Sequence, residues 1–110
     1  ADKAGDALDA KARAARAQRR AVADQLRAEV SSAYEALVQT SATLTAARKG
    51  VAAAEETHRV RNALYKNGRA TSADVTDAET DLLRSRLALV DALIDARVAS
   101  VRLEHATGRT

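Results

Sequence analysis

A seven-residue apolar repeat, broken once and then resumed in mirror order, constrains this chain more than any other feature. The first series consists of Val30, Leu37, Leu44, Val51, His58 and Tyr65, and the second of Val75, Leu82, Leu89, Ala96 and Leu103. Folding the chain at Gly68 places His58 opposite Leu82 and Val51 opposite Leu89. Heptads on both sides of one turn predict an all-α fold, a long antiparallel helical coiled-coil hairpin.

The composition favours a helical rod over a compact globule. The 110 residues include no Pro, Phe, Trp, Met or Cys, and only two Tyr. Ala, Arg and Leu, which the chain uses heavily, are among the strongest helix formers. With so few aromatic side chains there is little volume to fill a central core. The absence of Cys leaves the redox compartment of the protein open.

The charged residues on the two sides of the bend differ in sign. The net charge is only +3. The first helical run ends with Arg59, Arg61, Lys66 and Arg69, and the second begins with Asp74, Asp77, Glu79 and Asp81. Both groups suit the helix macrodipole and lie side by side in a hairpin. Nucleic-acid binding is not expected, because neither a one-signed face nor a set of aromatic platforms is present.

Local signals divide the chain into a helix over about 3–66, a tip over 67–71 and a helix over about 72–106. Asn67-Gly68 favours a helix stop, and Gly108 a second one. Thr71 is a good N-cap, with Asp74 placed to complete a capping box. At about 1.5 Å per residue the helices would be about 95 and 53 Å long, so residues before about 30 lack a partner. We therefore expect residues 1–110 to form a single α-hairpin segment of a larger protein.

The second helix carries more apolar surface than one partner requires. Beside a seam taken to include Leu93 there is a second apolar row, formed by Leu83, Leu87, Val90, Ile94, Val98 and Val101. One helical partner needs one stripe. Two stripes predict neighbours on two sides, and hence self-association of the isolated segment or membership of a larger oligomer.

Residues that could support chemistry are few. His58 lies on the seam and His105 in the last turn of the second helix. No second His and no Cys stands at metal-ligand spacing, so no metal, cofactor or enzymatic activity is expected. The carboxylates near the bend fit capping roles. No window approaches the ~18 uninterrupted apolar residues of a transmembrane helix.

The sequence around the bend resembles the TolC-like outer-membrane efflux proteins. The similar residues follow a pattern of Tyr65, Gly68, Thr71, Asp74 and Val75 at the spacing Tyr-x-x-Gly-x-x-Thr-x-x-Asp-Val. Further matches are the segments Val30-x-x-Ala33-Tyr34-x-x-Leu37 and Ala54-Glu55-Glu56, and the ending formed by Leu103 and Gly108. The resemblance extends from about residue 25 to the end and is that of the helical hairpin of the second repeat.

This resemblance implies a function without catalysis. Such proteins are homotrimers in the outer membrane of Gram-negative bacteria, and their helices form a cylinder across the periplasm. This segment would then form part of the cylinder wall, the gate at its tip and the docking site for a periplasmic adaptor. The adaptor would link it indirectly to an inner-membrane pump, in a tripartite export system.

The resemblance also assigns candidate residues at the tip. Tyr65 corresponds to a gate tyrosine, Gly68 to the turn glycine near the adaptor contact, and Asp77 to an acidic channel-lining position. Thr71 and Asp74 correspond to the cap of the following helix. Some members place an Arg two residues after the turn glycine, where this chain has Ala70. Arg69 comes one residue earlier, about 100° around a helix, so contact with the adaptor is the alternative to the gate.

Two alternatives remain open at this point. The chain could be the α-hairpin of the periplasmic adaptor itself, although the tip Arg69-Ala70-Thr71 only loosely resembles an adaptor tip. It could also be a structural coiled coil unrelated to transport, which explains the heptads but not the second apolar row. The transported substrate does not follow from a wall and a gate.

Overall fold

The computed structural model describes residues 2–108, which form two helices joined by one tight turn. Helix α1 spans Lys3–Lys66 and helix α2 spans Ser72–Ala106. The helices lie antiparallel in a rod that measures 99 × 22 × 14 Å. This confirms the predicted all-α hairpin with helices of unequal length. No helix within the described residues is long and apolar enough to cross a membrane.

The seam between the helices alternates large and small side chains. The small positions are Ala33, Thr40, Ala47 and Ala54 on α1, and Ala78, Ser85, Ala92, Ala99 and Ala106 on α2. The most deeply buried of these are alanines, with 0% of Ala33 and 4% of Ala92 exposed. Their small side chains allow the two backbones to come close, while most of the larger residues between them, unlike Leu82, stay partly exposed. The buried residues of this rod therefore form a row along the seam, and most of them are only partly buried.

Two contacts across the seam fix its register. Arg86 Nη2 lies 3.9 Å from Glu55 Oε1, and His58 Nε2 lies 3.6 Å from Glu79 Oε1. Both pairs are consistent, to within one helical turn, with the predicted pairing of the helices in which Val51 faces Leu89. The mirrored order of the heptads is therefore the order found in the structure.

The expectation that Leu93 belongs to the seam is wrong. Leu93 is 43% exposed, whereas Ala92 is buried. The seam steps alternately by three and four residues, and from Leu89 the next step is three. Leu93 therefore lies on the edge of the interface, and Ala92 takes its place in the seam.

The amino-terminal part of α1 projects beyond α2. Helix α2 ends at Ala106, level with Ala33, and Leu8, Val22 and Leu26 are all exposed. Where α2 ends, an open apolar groove of about 660 Å³ is lined by Leu26, Arg27, Val30, Ser31, Tyr34, Leu103, Glu104 and Thr107. The segment of α1 over residues 3–29, the overhang, therefore has no helical partner within the described chain.

Candidate functional site

The tip is built by a helix stop and a helix start placed back to back. Gly68 has φ of +69°, the left-handed conformation that ends α1. The Arg69 backbone N–H then donates to the Leu64 carbonyl at 2.8 Å. The Asn67 side-chain nitrogen donates to the Ala63 carbonyl at 3.0 Å. Together with the Asn67 backbone N–H, which donates to the same two carbonyls at 3.2 Å, these bonds satisfy the acceptors at the end of the helix.

Helix α2 begins with the predicted capping box. The Asp74 backbone N–H donates to Thr71 Oγ1 at 3.1 Å, and the Thr71 backbone N–H donates to Asp74 Oδ2 at 2.9 Å. The backbone bond from Thr71, its side chain and then the positive charge of Arg61 lower the pKa of Asp74. Asp74 is thus held ionised at the positive end of a helix dipole.

The six tip residues taken from the resemblance fall into two groups. Gly68, Thr71 and Asp74 make or permit the bonds that hold the bend. Tyr65, Arg69 and Asp77 are exposed, Tyr65 to 48%. The structure therefore brings Thr71 and Asp74 into direct contact, and leaves the other three side chains on the surface.

The polar pairs across the seam were not anticipated from the sequence. The sequence predicts that His58 faces Leu82, and in the structure its Nε2 atom also lies 3.6 Å from Glu79 Oε1, one turn closer to the tip. Glu55 pairs with Arg86 across the same stretch. The signal was available, because Glu55 and Arg86 lie at nearly the same level once the heptads are mirrored. Along α1, Arg59 forms two hydrogen bonds with Glu56, which together with its charge lower the pKa of Glu56.

The second apolar row lies nearly opposite the seam of α2, not beside it. Leu87 and Ile94 each fall midway between successive seam residues, two positions from each, which is about 160–200° around the helix. Ile94 is 56% exposed, and the other members of the row are exposed as well. Helix α2 therefore has apolar surface on two opposite flanks, and α1 covers only one.

Metal ligation is not indicated by the geometry. Among residues 2–108, no group of three or more His, Cys, Asp or Glu side chains is placed to hold a metal ion. That the protein uses no metal and no cofactor stays a prediction from the sequence.

Comparison with known proteins identifies the family. Residues 3–109 match the family model described as outer membrane efflux protein. The chain belongs to the outer membrane efflux protein family. It is also 40% identical, over 88 residues, to the outer membrane efflux protein BepC of Brucella suis biovar 1 (strain 1330). No solved structure matches the chain.

The match covers a large part of this chain and a small part of the relative. The 88 aligned residues are 80% of this chain and 19% of BepC. The outer membrane efflux family is a family of channels, and its match extends through both helices and the tip. This favours the channel over the adaptor hairpin and over an unrelated coiled coil.

Proposed function

We propose that this hairpin is a wall segment of the periplasmic helical part of an outer-membrane efflux channel. The observation that carries the proposal is the pair of apolar flanks on α2. A helix in a closed cylinder touches one neighbour on each side, and α2 offers surface for both. The membership of the family supplies the context of export.

The bend is proposed as the end of the wall that meets other proteins. Three of its exposed side chains, those of Tyr65, Arg69 and Asp77, provide an aromatic ring, a cation and an anion within a short stretch. The capping box and the left-handed Gly68 hold the backbone beneath them in a fixed shape. Such a rigid support presents contact residues in a defined geometry, which suits both gating and docking to a periplasmic adaptor. Through the adaptor the channel would act with an inner-membrane pump.

Site-specific cross-linking tests the placement of the tip. In the full-length channel that carries this hairpin, a photo-reactive residue at position 69 is expected to form an adduct with the adaptor in cells. A matched residue at Arg16 replaces an exposed arginine about 75 Å away along α1, and is expected to form none. Adducts at position 16 and none at position 69 would place the docking surface at the other end of the rod.

A homotrimer is proposed for the parent channel. Three copies of a protein with two such hairpins give a cylinder in which every helix has two neighbours. Asp substitutions at Leu87 and Ile94 would charge the uncovered flank of α2, and are expected to abolish both the trimer on native gels and export. Substitution of Thr43 by Asp, on an exposed position away from that flank, should preserve both.

A further inference from the structure

A charged stripe runs along one side of the overhang, starting from the N-cap residue of α1. Its members follow one another in steps of four and three residues, which places them within about 80° around the helix. The first half of the stripe is acidic and the second half is basic: Asp2, Asp6, Asp9, Arg13, Arg16 and Arg20. All six residues are exposed, and the four at the centre of the stripe line a common surface pocket.

The charges of this stripe are not paired within one copy. Among the ion pairs of residues 2–108, none includes a member of the stripe. Asp2 accepts from the Gly5 backbone N–H with Oδ1 at 3.1 Å, and this leaves Oδ2 for a cation. The other cations of this region lie about 100° or more away around the helix, with Lys11 on the opposite side of α1.

The order of the charges makes the stripe complementary to itself. If a second overhang lies antiparallel to the first, with residue 11 of both copies at the same level, each aspartate faces an arginine: Asp9 faces Arg13, Asp6 faces Arg16 and Asp2 faces Arg20. A two-fold axis generates each of these pairs twice. The residues beside the stripe are small and leave room for the two helices to approach: Gly5, Ala10, Ala12 and Ala17.

We propose that the charged stripe is a docking surface for a second copy of this chain, which binds antiparallel in an isologous contact centred on residue 11. The first turn of the second copy would lie about 20 Å from the end of α2, so the two copies do not collide. The two tips point in opposite directions, and the dimer is a rod of about 170 Å, compared with 99 Å for one copy. Because the contact is exposed and polar, salt should weaken it. The proposal does not depend on the role in export.

Charge reversal tests the pairing. Arg16→Glu changes two of the ion pairs, because of the two-fold axis, and should weaken association by roughly three- to thirtyfold. Asp6→Arg should have the same effect. A mixture of these two variants should associate about as tightly as the unchanged protein, since in the mixed dimer each position 6 again faces a position 16 of opposite charge. Lys11→Glu is the matched control, because it changes the net charge equally on the other side of the helix, and should alter the affinity by less than about twofold.

Two solution measurements on the 110-residue protein give the outcome. Sedimentation equilibrium at low and high salt measures each affinity, and circular dichroism checks that helix content is unchanged. Small-angle X-ray scattering tests the geometry independently of the charges, because copies packed side by side along their whole length would stay near 99 Å. A dimer of that length, or a mixture as weak as its two components, would overturn the proposal. A monomer at every concentration would assign the stripe to a different partner and overturn it as well.

Discussion

At the scale of single residues, the bend depends on Gly68. A Cβ atom at this position would meet no atom within 4 Å, so only its left-handed backbone disfavours other residues. Gly68→Ala is therefore expected to lower the free energy of unfolding by about 1–2 kcal/mol. Gly50→Ala is the matched control, since Gly50 also faces open space but is helical, and there Ala should raise stability by up to about 1 kcal/mol. Urea denaturation at a fixed protein concentration measures both, and equal effects of the two changes would contradict this account.

The capping box predicts a dependence of stability on acid. The folded-state pKa of Asp74 is lowered by its bonds to Thr71, so its contribution is present above the ordinary pKa of an aspartate and is lost as the pH falls below about 4. Asp74→Asn should therefore lower the melting temperature at pH 7 and show a smaller further loss between pH 5 and pH 3 than the unchanged protein. Glu56 titrates over the same range in both proteins and cancels in the comparison.

The same cap has a simpler prediction at neutral pH. Thr71→Ala removes the oxygen that accepts from the Asp74 backbone N–H, and is expected to cost about 1 kcal/mol of stability. Thr71→Ser keeps that oxygen and should cost much less. If thermal melts showed the two variants to be alike, the hydroxyl would not be the stabilising group.

At the scale of elements, the alanines of the seam set the distance between the helices. Ala92→Leu would place a larger side chain where only 4% of the residue is exposed, and is expected to destabilise the hairpin by about 1–3 kcal/mol. Ala12→Leu, on the exposed overhang, is the matched control and should have an effect within about 0.5 kcal/mol. Denaturation followed by circular dichroism measures the difference. A harmless Ala92→Leu would mean that the helices can separate without cost.

The helices and the bend could be predicted because their signals are local. Asn67-Gly68, Thr71 and Asp74 act on their own backbone, and the resulting helix limits agree with the structure. The assignment of Leu93 failed, because a step of four residues from Leu89 looks as regular as a step of three. The ion pairs of Glu55 and His58 could not be predicted for a different reason. The seven-residue repeat indicates which residues of the two helices lie at the same height, but whether their side chains meet depends on the side-chain conformations.

The candidate site could be predicted only in part. The sequence indicated which residues form the bend, and the structure shows how Gly68, Thr71 and Asp74 hold it. Tyr65, Arg69 and Asp77 are exposed, and any contact that they make with a gate or an adaptor would involve surfaces outside the described residues. Their roles in gating and docking therefore stay predictions, supported by the family and testable by cross-linking.

At the scale of the whole molecule, the rod should not be equally stable along its length. The overhang has no second helix beside it within the described residues, and in proteins most of the stability of a helix comes from tertiary packing. Backbone amides over residues 6–22 are expected to exchange with deuterium faster than those over 80–100, by about tenfold for every 1.4 kcal/mol that the seam contributes. Hydrogen-exchange mass spectrometry at low protein concentration measures this difference. Equal protection in the two regions would show that the overhang is covered, for instance by another copy.

The unequal lengths of the helices have a mechanical consequence. Helix α2 stops beside Ala33, in a part of α1 that continues without interruption for roughly 45 Å in the same direction. Any further element that covers the overhang would meet the end of α2 at this level. Helix α1 would then run without a break past the position where the two elements meet. A bending load at this height would therefore be carried by the continuous α1 helix, because the ends of the neighbouring elements do not coincide with an end of α1.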